Sequence, residues 1–190
     1  MSKKTVFTVI AAALVGAVIG ACVCAAILNN NGGVKFSNAS MEVGSFPELK
    51  EQLAELEGAV VTDLEGIEHG EAAQKYTVLL DGRTRKAKPY GYTVMAESND
   101  ESCMIRCCRT QEGHGPFGPG ENNTEYNGVC IKNASNESGE RANCALEFSV
   151  GGFDYRLAKS GDKAGFDSEA AYEQLFEKAQ SIIDAAKVGK

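Results

Sequence analysis

The sequence predicts an α+β domain: an antiparallel sheet of about five or six strands with an N-terminal and a C-terminal helix packed on it. A single N-terminal transmembrane or signal helix precedes the domain. Three observations predict this. Residues 5–28 carry no charge over 24 positions. Period-two runs then follow one another between turn signals, as in half-buried strands. A long stretch of period 3.6 closes the chain. The apolar faces of such helices and strands must cover each other, which gives a sheet shielded on one side.

The opening segment "MSKKTVFTVIAAALVGAVIGACVCAAILNN" begins with Lys3 and Lys4 and stays apolar from Thr5 to Leu28. As a helix it would run about 36 Å at about 1.5 Å per residue, enough to span a bilayer with some tilt. Basic residues ahead of it place the N-terminus in the cytoplasm and the rest of the chain outside. Length and flanks favour an uncleaved signal anchor. Two alternatives stay open. Ile19-Gly20-Ala21-Cys22 has the form of a bacterial lipobox, which makes Cys22 a candidate lipidation site, although the chain stays apolar after it. A cleaved signal peptide is the third reading, and the apolar run is long for one. All three put the domain in the cell envelope, outside the cytoplasm, on a single-pass or lipid-anchored chain. The organisation expected is thus 1–28 anchor or signal, 29–43 flexible tether, and 44–190 domain.

Ser45-Phe46-Pro47-Glu48 is a capping box with proline in the first turn. Phe46, Leu49, Leu53 and Leu56 recur at helical spacing, and Gly58 is the expected stop. Ala59–Thr62 is a candidate strand start. Tyr76, Val78 and Leu80 alternate. "YGYTVMAE" and "SCMIRCCRT", joined by "SNDE", read as a hairpin. A Gly/Pro/Asn-rich loop covers 111–128, "VCIKN" is a short strand, and "ASNESGERA" is a further loop. "NCALEFSV" and "FDYRLAKS" flank Gly151-Gly152 as the clearest hairpin in the chain. The last helix opens at Asp167 or Ser168. Its stripe, with Ala171, Leu175, Phe176, Ala179, Ile182 and Ile183, is wide enough to lie across a sheet.

This order of elements resembles a family of uncharacterised extracytoplasmic domains on membrane-anchored bacterial proteins, chiefly Gram-positive, among them lipoproteins and the outer parts of anti-sigma factors. The likeness covers roughly residues 44–187. It rests on "FPELKEQLAELEGA", the "YTVMAESNDESCMIRCCRT" hairpin, the Gly-rich loop, and "CALEFSVGGFDYRLAKS" ahead of "FDSEAAYEQL". The cysteines and the absence of tryptophan depart from that pattern. The resemblance implies an envelope location and little chemistry.

Composition narrows the function. The chain has a formal net charge of −7; with Lys3 and Lys4 set aside, its 19 basic residues become 17 against 26 acidic ones. Such a domain repels nucleic acid and anionic headgroups, so no nucleic-acid partner is expected. The one basic cluster, Arg83, Arg85, Lys86 and Lys88, reads as a solvated hairpin tip. The four N-x-S/T sites at Asn38, Asn122, Asn133 and Asn136 read as chance matches in Asn-rich loops. His69 and His114 are the only histidines, each in a loop without a neighbouring nucleophile. "GHGPFGPG" does not follow the strand-loop-helix form of a phosphate-binding loop.

The cysteines are the sharpest local signal. On a strand Cys103 and Cys107 face one way and Cys108 the other, which suits neither one zinc site nor a Cys-x-x-Cys redox pair. No metal and no cofactor is expected. Outside the cytoplasm disulfides persist. The expected pairs are Cys107 with Cys144 and Cys108 with Cys130, leaving Cys103 as the candidate free thiol. The alternative is that these residues are small core side chains. The functional expectation is a non-catalytic binding or sensing module held at the membrane by its N-terminal helix, meeting an envelope protein or cell-wall polymer through its sheet and the 111–128 loop. A thiol-dependent envelope enzyme and a structural protein cross-linked through an odd cysteine are the alternatives.

Overall fold

The computed structural model describes residues 39–81, 88–110 and 122–188. The apolar segment with Cys22, the tether to residue 38, His114 and the basic turn at 83–86 lie outside the described residues. Among the described residues no helix is long and apolar enough to cross a membrane.

Among the described residues the architecture is α+β, with one large antiparallel sheet and two helices. The strands are β1 (Ala39–Val43), β2 (Gln74–Asp81), β3 (Lys88–Glu97), β4 (Glu101–Arg109), β5 (Asn122–Tyr126), β6 (Val129–Asn133), β7 (Asn136–Ser138), β8 (Arg141–Val150) and β9 (Phe153–Asp162). Helix α1 spans Phe46–Gln52 and α2 spans Ser168–Val188. The sheet order is β1-β2-β3-β4-β9-β8-β6-β5, with β7 paired to β8.

Against the expected five or six strands, the described residues form nine, because short polar strands lack an alternating apolar signature. Ala39–Val43, expected as tether, pairs with β2 as an edge strand. Asn122–Tyr126, expected as loop, forms a hairpin with β6 around Asn127-Gly128, whose φ angles of 49° and 71° suit a tight two-residue turn. Asn136–Ser138 adds a short strand on β8. Ala59–Thr62, expected as a strand start, forms none.

Helix α1 begins as expected. Ser45 Oγ accepts from the Glu48 amide at 3.4 Å, and Glu48 Oε2 accepts from the Gly44 amide at 2.8 Å. It ends at Gln52 rather than reaching Gly58. The β8–β9 hairpin turns at Gly151-Gly152, both at positive φ, with Val150 opposite Phe153. Asp167 Oδ1 caps α2 by accepting from the Glu169 and Ala170 amides.

Register stacks the core in rows across the sheet. Val78, Tyr92, Cys107, Tyr155 and Phe148 form one row, and Tyr76, Val94, Ile105, Leu157 and Leu146 the next. Leu49, Leu53, Leu56, Leu64 and Ile67 come from α1 and the following coil, and Leu175, Ala179, Ile182 and Ile183 from α2. All but Tyr76 belong to one buried cluster, and Tyr76 packs against it. Two tyrosine hydroxyls reach out of this core. Tyr155 Oη accepts from the Val60 amide at 2.8 Å. Tyr92 Oη donates to the Val60 carbonyl at 2.8 Å and accepts from the Thr62 amide at 3.2 Å. The coil at 60–62 is thereby held without joining the sheet.

Candidate functional site

The five cysteines of the domain are free thiols. Cys103, Cys107 and Cys144 are buried on the core face, as the alternation on β4 requires. The two expected disulfides are not compatible with the strand order. Strand β9 runs between β4 and β8, so Cys107 and Cys144 stand two strands apart, about 9.5 Å sideways, beyond the roughly 7 Å a disulfide tolerates between Cα atoms. They are also offset along the sheet, since Cys107 lies in the row of Phe148. Cys108 and Cys130 are three strands apart, about 14 Å. Cys103, the candidate free thiol, is 1% exposed, and its Sγ donates to the Glu68 carbonyl at 3.5 Å. Cys130 on β6 is the exposed one.

Burial pushes the Cys103 thiol up to about 11, with nearby Lys159 pulling the other way. Cys107 is pushed up to about 12, again chiefly by burial, though its hydrogen bond with Tyr155 opposes this. Neither has the lowered value of a catalytic thiolate. These residues behave as small core side chains.

The opposite sheet face carries a polar row. Glu42, Thr77, Thr93, Arg106, Arg156, Glu147 and Lys132 stand side by side across seven strands. Glu147 is 1% exposed, and its Oε1 lies 3.1 Å from Arg156 Nη1. Burial raises the Glu147 carboxyl above its usual range, while Arg156 and Lys132 oppose that shift. Glu147 Oε2, Arg106 Nε and Arg156 Nε are buried without a hydrogen-bond partner. One row further, Asp154 Oδ1 accepts from Ser149 Oγ at 2.6 Å and Thr110 Oγ1 at 2.8 Å, beside Cys108.

The core face also has a polar end. Gln74, Ala96, Cys103, Lys159 and Cys144 share a row there, with Glu101, Gly161 and Ala142 in the row beyond it. Lys159 follows Phe153, Tyr155 and Leu157 at period two and is buried with them, lining the sheet end. There a pocket of about 490 Å³ is lined by Ile67, Glu68, His69, Gly70, Glu101 and Lys159. Gln174 of α2 holds one wall: its Oε1 accepts from the Glu68 amide at 3.2 Å and from Lys159 Nζ at 3.5 Å. The sequence pointed to His69 only as a lone loop histidine. Lys159 was missed, although a lysine in phase with three aromatic or aliphatic residues is the signal for it.

Among the described residues no group of three or more His, Cys, Asp or Glu is placed to hold a metal. His69 meets Gln74 rather than a nucleophile. Comparison of the chain with protein-family models, with characterised proteins and with solved structures finds no match.

Proposed function

We propose that this protein is a membrane-anchored, extracytoplasmic binding or sensing module that does no catalysis and meets an envelope protein or cell-wall polymer through the sheet face opposite its helices. The observation that carries the reading is the polar row on that face. A packed sheet sets Glu42, Thr77, Thr93, Arg106, Arg156 and Lys132 side by side on that face, with Arg156 held by the buried Glu147 at 3.1 Å. Rigidly placed polar and charged groups on a broad surface suit recognition of a polar partner. The charge-free run before the domain and the likeness to anchored extracytoplasmic domains support the location.

Cys130 provides the test of location, because it is an exposed thiol on the domain. A membrane-impermeant maleimide applied to intact cells should label it. Labelling only after lysis would place the domain in the cytoplasm and end this reading. For the face, a photo-crosslinking residue at Thr93 should capture an envelope component in cells, and one at Glu173 on α2 should not. Equal capture at both positions would remove the sheet face from the proposal.

A second reading has one observation in its favour. Cys130 is available for an interchain disulfide, which would make the protein a cross-linked structural component. A dimer on non-reducing gels that disappears in Cys130→Ser would select it.

A further inference from the structure

The pocket at the polar end of the core face has an unusual donor inventory. Lys159 is 7% exposed, yet among the described residues its ammonium has a single acceptor, Gln174 Oε1, at the long distance of 3.5 Å. An ammonium offers three N–H donors. His69 adds another donor by a tautomer argument. Gln74 Oε1 accepts from the Tyr76 hydroxyl at 3.2 Å and from the Leu64 amide at 3.5 Å. Its amide nitrogen therefore faces His69 Nε2, at 3.3 Å. That nitrogen donates, so Nε2 accepts, and the proton of a neutral ring sits on Nδ1. Nδ1 is buried and has no partner. Lys159 thus keeps two N–H donors beyond the one directed at Gln174, and the His69 Nδ1–H has no acceptor among the described residues, which costs free energy unless one arrives.

The acceptor should be an anion, since charge-assisted bonds to an ammonium are the strong ones. Glu68 and Glu101 also line the pocket, on an acidic chain. They disfavour a phosphate or any other multiply charged anion by like-charge repulsion, and they favour a cationic group beside the bound anion. Ile67 supplies an apolar wall. The Lys159 ammonium repels a metal ion as occupant, and no metal-ligand cluster is found among the described residues.

We infer that the pocket walled by Lys159 and His69 and flanked by Glu68 and Glu101 binds a small amino-acid zwitterion, its carboxylate on Lys159 Nζ and His69 Nδ1 and its ammonium toward the two glutamates. This goes beyond the sheet-face reading and does not depend on it or on where the domain sits in the cell. A ligand of so few atoms binds at about 10 µM to 1 mM.

The experiment is isothermal titration calorimetry of the full chain in detergent with glycine, L-alanine, acetate and methylammonium. Glycine and alanine should bind, acetate should bind about tenfold more weakly or worse, and methylammonium should give no heat. Lys159→Met should lose amino-acid binding while keeping the far-UV circular dichroism of the wild type. Glu101→Gln should bring glycine down to the affinity of acetate. If Lys159→Met fails to fold, His69→Phe, in the coil outside the sheet, should still weaken glycine by about tenfold. No amino-acid heat up to about 10 mM would overturn the inference. So would acetate binding as tightly as glycine, or unchanged glycine affinity in the folded Lys159→Met or in His69→Phe.

Discussion

At the scale of single residues, thiol chemistry separates the five cysteines of the domain. Cys103 and Cys107 combine burial with pKa values raised to about 11 and about 12, and Cys144 is buried and raised in the same direction. A raised thiol holds less thiolate at neutral pH, and the thiolate is what alkylates. Iodoacetamide followed by mass spectrometry should therefore modify Cys130 first and Cys108 more slowly, with the other three reacting only after denaturation. Rapid native labelling of Cys103 would contradict its placement and revive the thiol-enzyme alternative. Glu147 allows a second residue-scale prediction. Its folded pKa is raised, so as pH falls toward the ordinary carboxylate range the folded state takes up this proton before the unfolded chain does. Wild type should gain stability relative to Glu147→Gln as pH falls from 7 to 4, in paired urea titrations. An opposite trend would mean that the Arg156 pairing outweighs the burial of the carboxyl.

At the scale of elements, the tyrosine latch and Gly91 carry the sharpest consequences. Tyr155→Phe leaves the Val60 amide without its acceptor, and Tyr92→Phe strips both Val60 carbonyl and Thr62 amide of theirs. Each should cost about 1–3 kcal/mol, because half-buried backbone groups lose their only partner. Hydrogen exchange at Val60 and Thr62 should quicken locally in the respective variants; protection unchanged in both would show that other contacts hold the coil. Gly91 faces β4 so closely that an added Cβ would lie 2.1 Å from the Cys107 carbonyl oxygen and 2.8 Å from Cys108 Cα. Gly91→Ala must push β3 off β4 and should cost about 3 kcal/mol. A neutral substitution, read as an unshifted urea midpoint, would show that the strands yield easily.

The same scale shows what was legible in the sequence. The Gly151-Gly152 hairpin, the SNDE hairpin and α2 were readable because alternation and caps are local signals. The hairpin at Asn127-Gly128 carried the strongest short turn signal there is, masked by Asn- and Gly-rich neighbours. Which way Cys103, Cys107 and Cys108 point followed from alternation alone. Which cysteine stands near which did not, because β9 enters between β4 and β8 by a pairing set far along the chain. The pocket is hidden for a similar reason: Lys159, Glu101 and His69 come from three separate stretches that only the strand order and Gln174 bring together.

At the scale of the whole molecule, the sheet is covered in two parts. Helix α1 lies against β1 and β2, and α2 against β8 and β9. Such a layout allows either two semi-independent halves or one cooperative unit. Continuity of the core decides between them. The Val78–Tyr92–Cys107–Tyr155–Phe148 row crosses from one half to the other without a polar break. The coil after α1 is also tied to α2, through Lys178 Nζ donating to the Glu65 carbonyl at 2.8 Å and Gln174 accepting from Glu68. One transition is therefore expected in urea, followed by tyrosine fluorescence, since the chain has no tryptophan, and by far-UV circular dichroism. Leu49 in α1 and Leu175 in α2 are both fully buried. Leu49→Ala and Leu175→Ala should each remove about 2–5 kcal/mol while the two probes remain coincident. If Leu175→Ala instead split the curve, with one phase left at the wild-type midpoint, α2 and its strands would be a separate folding unit, and the shared row would not be what couples the halves.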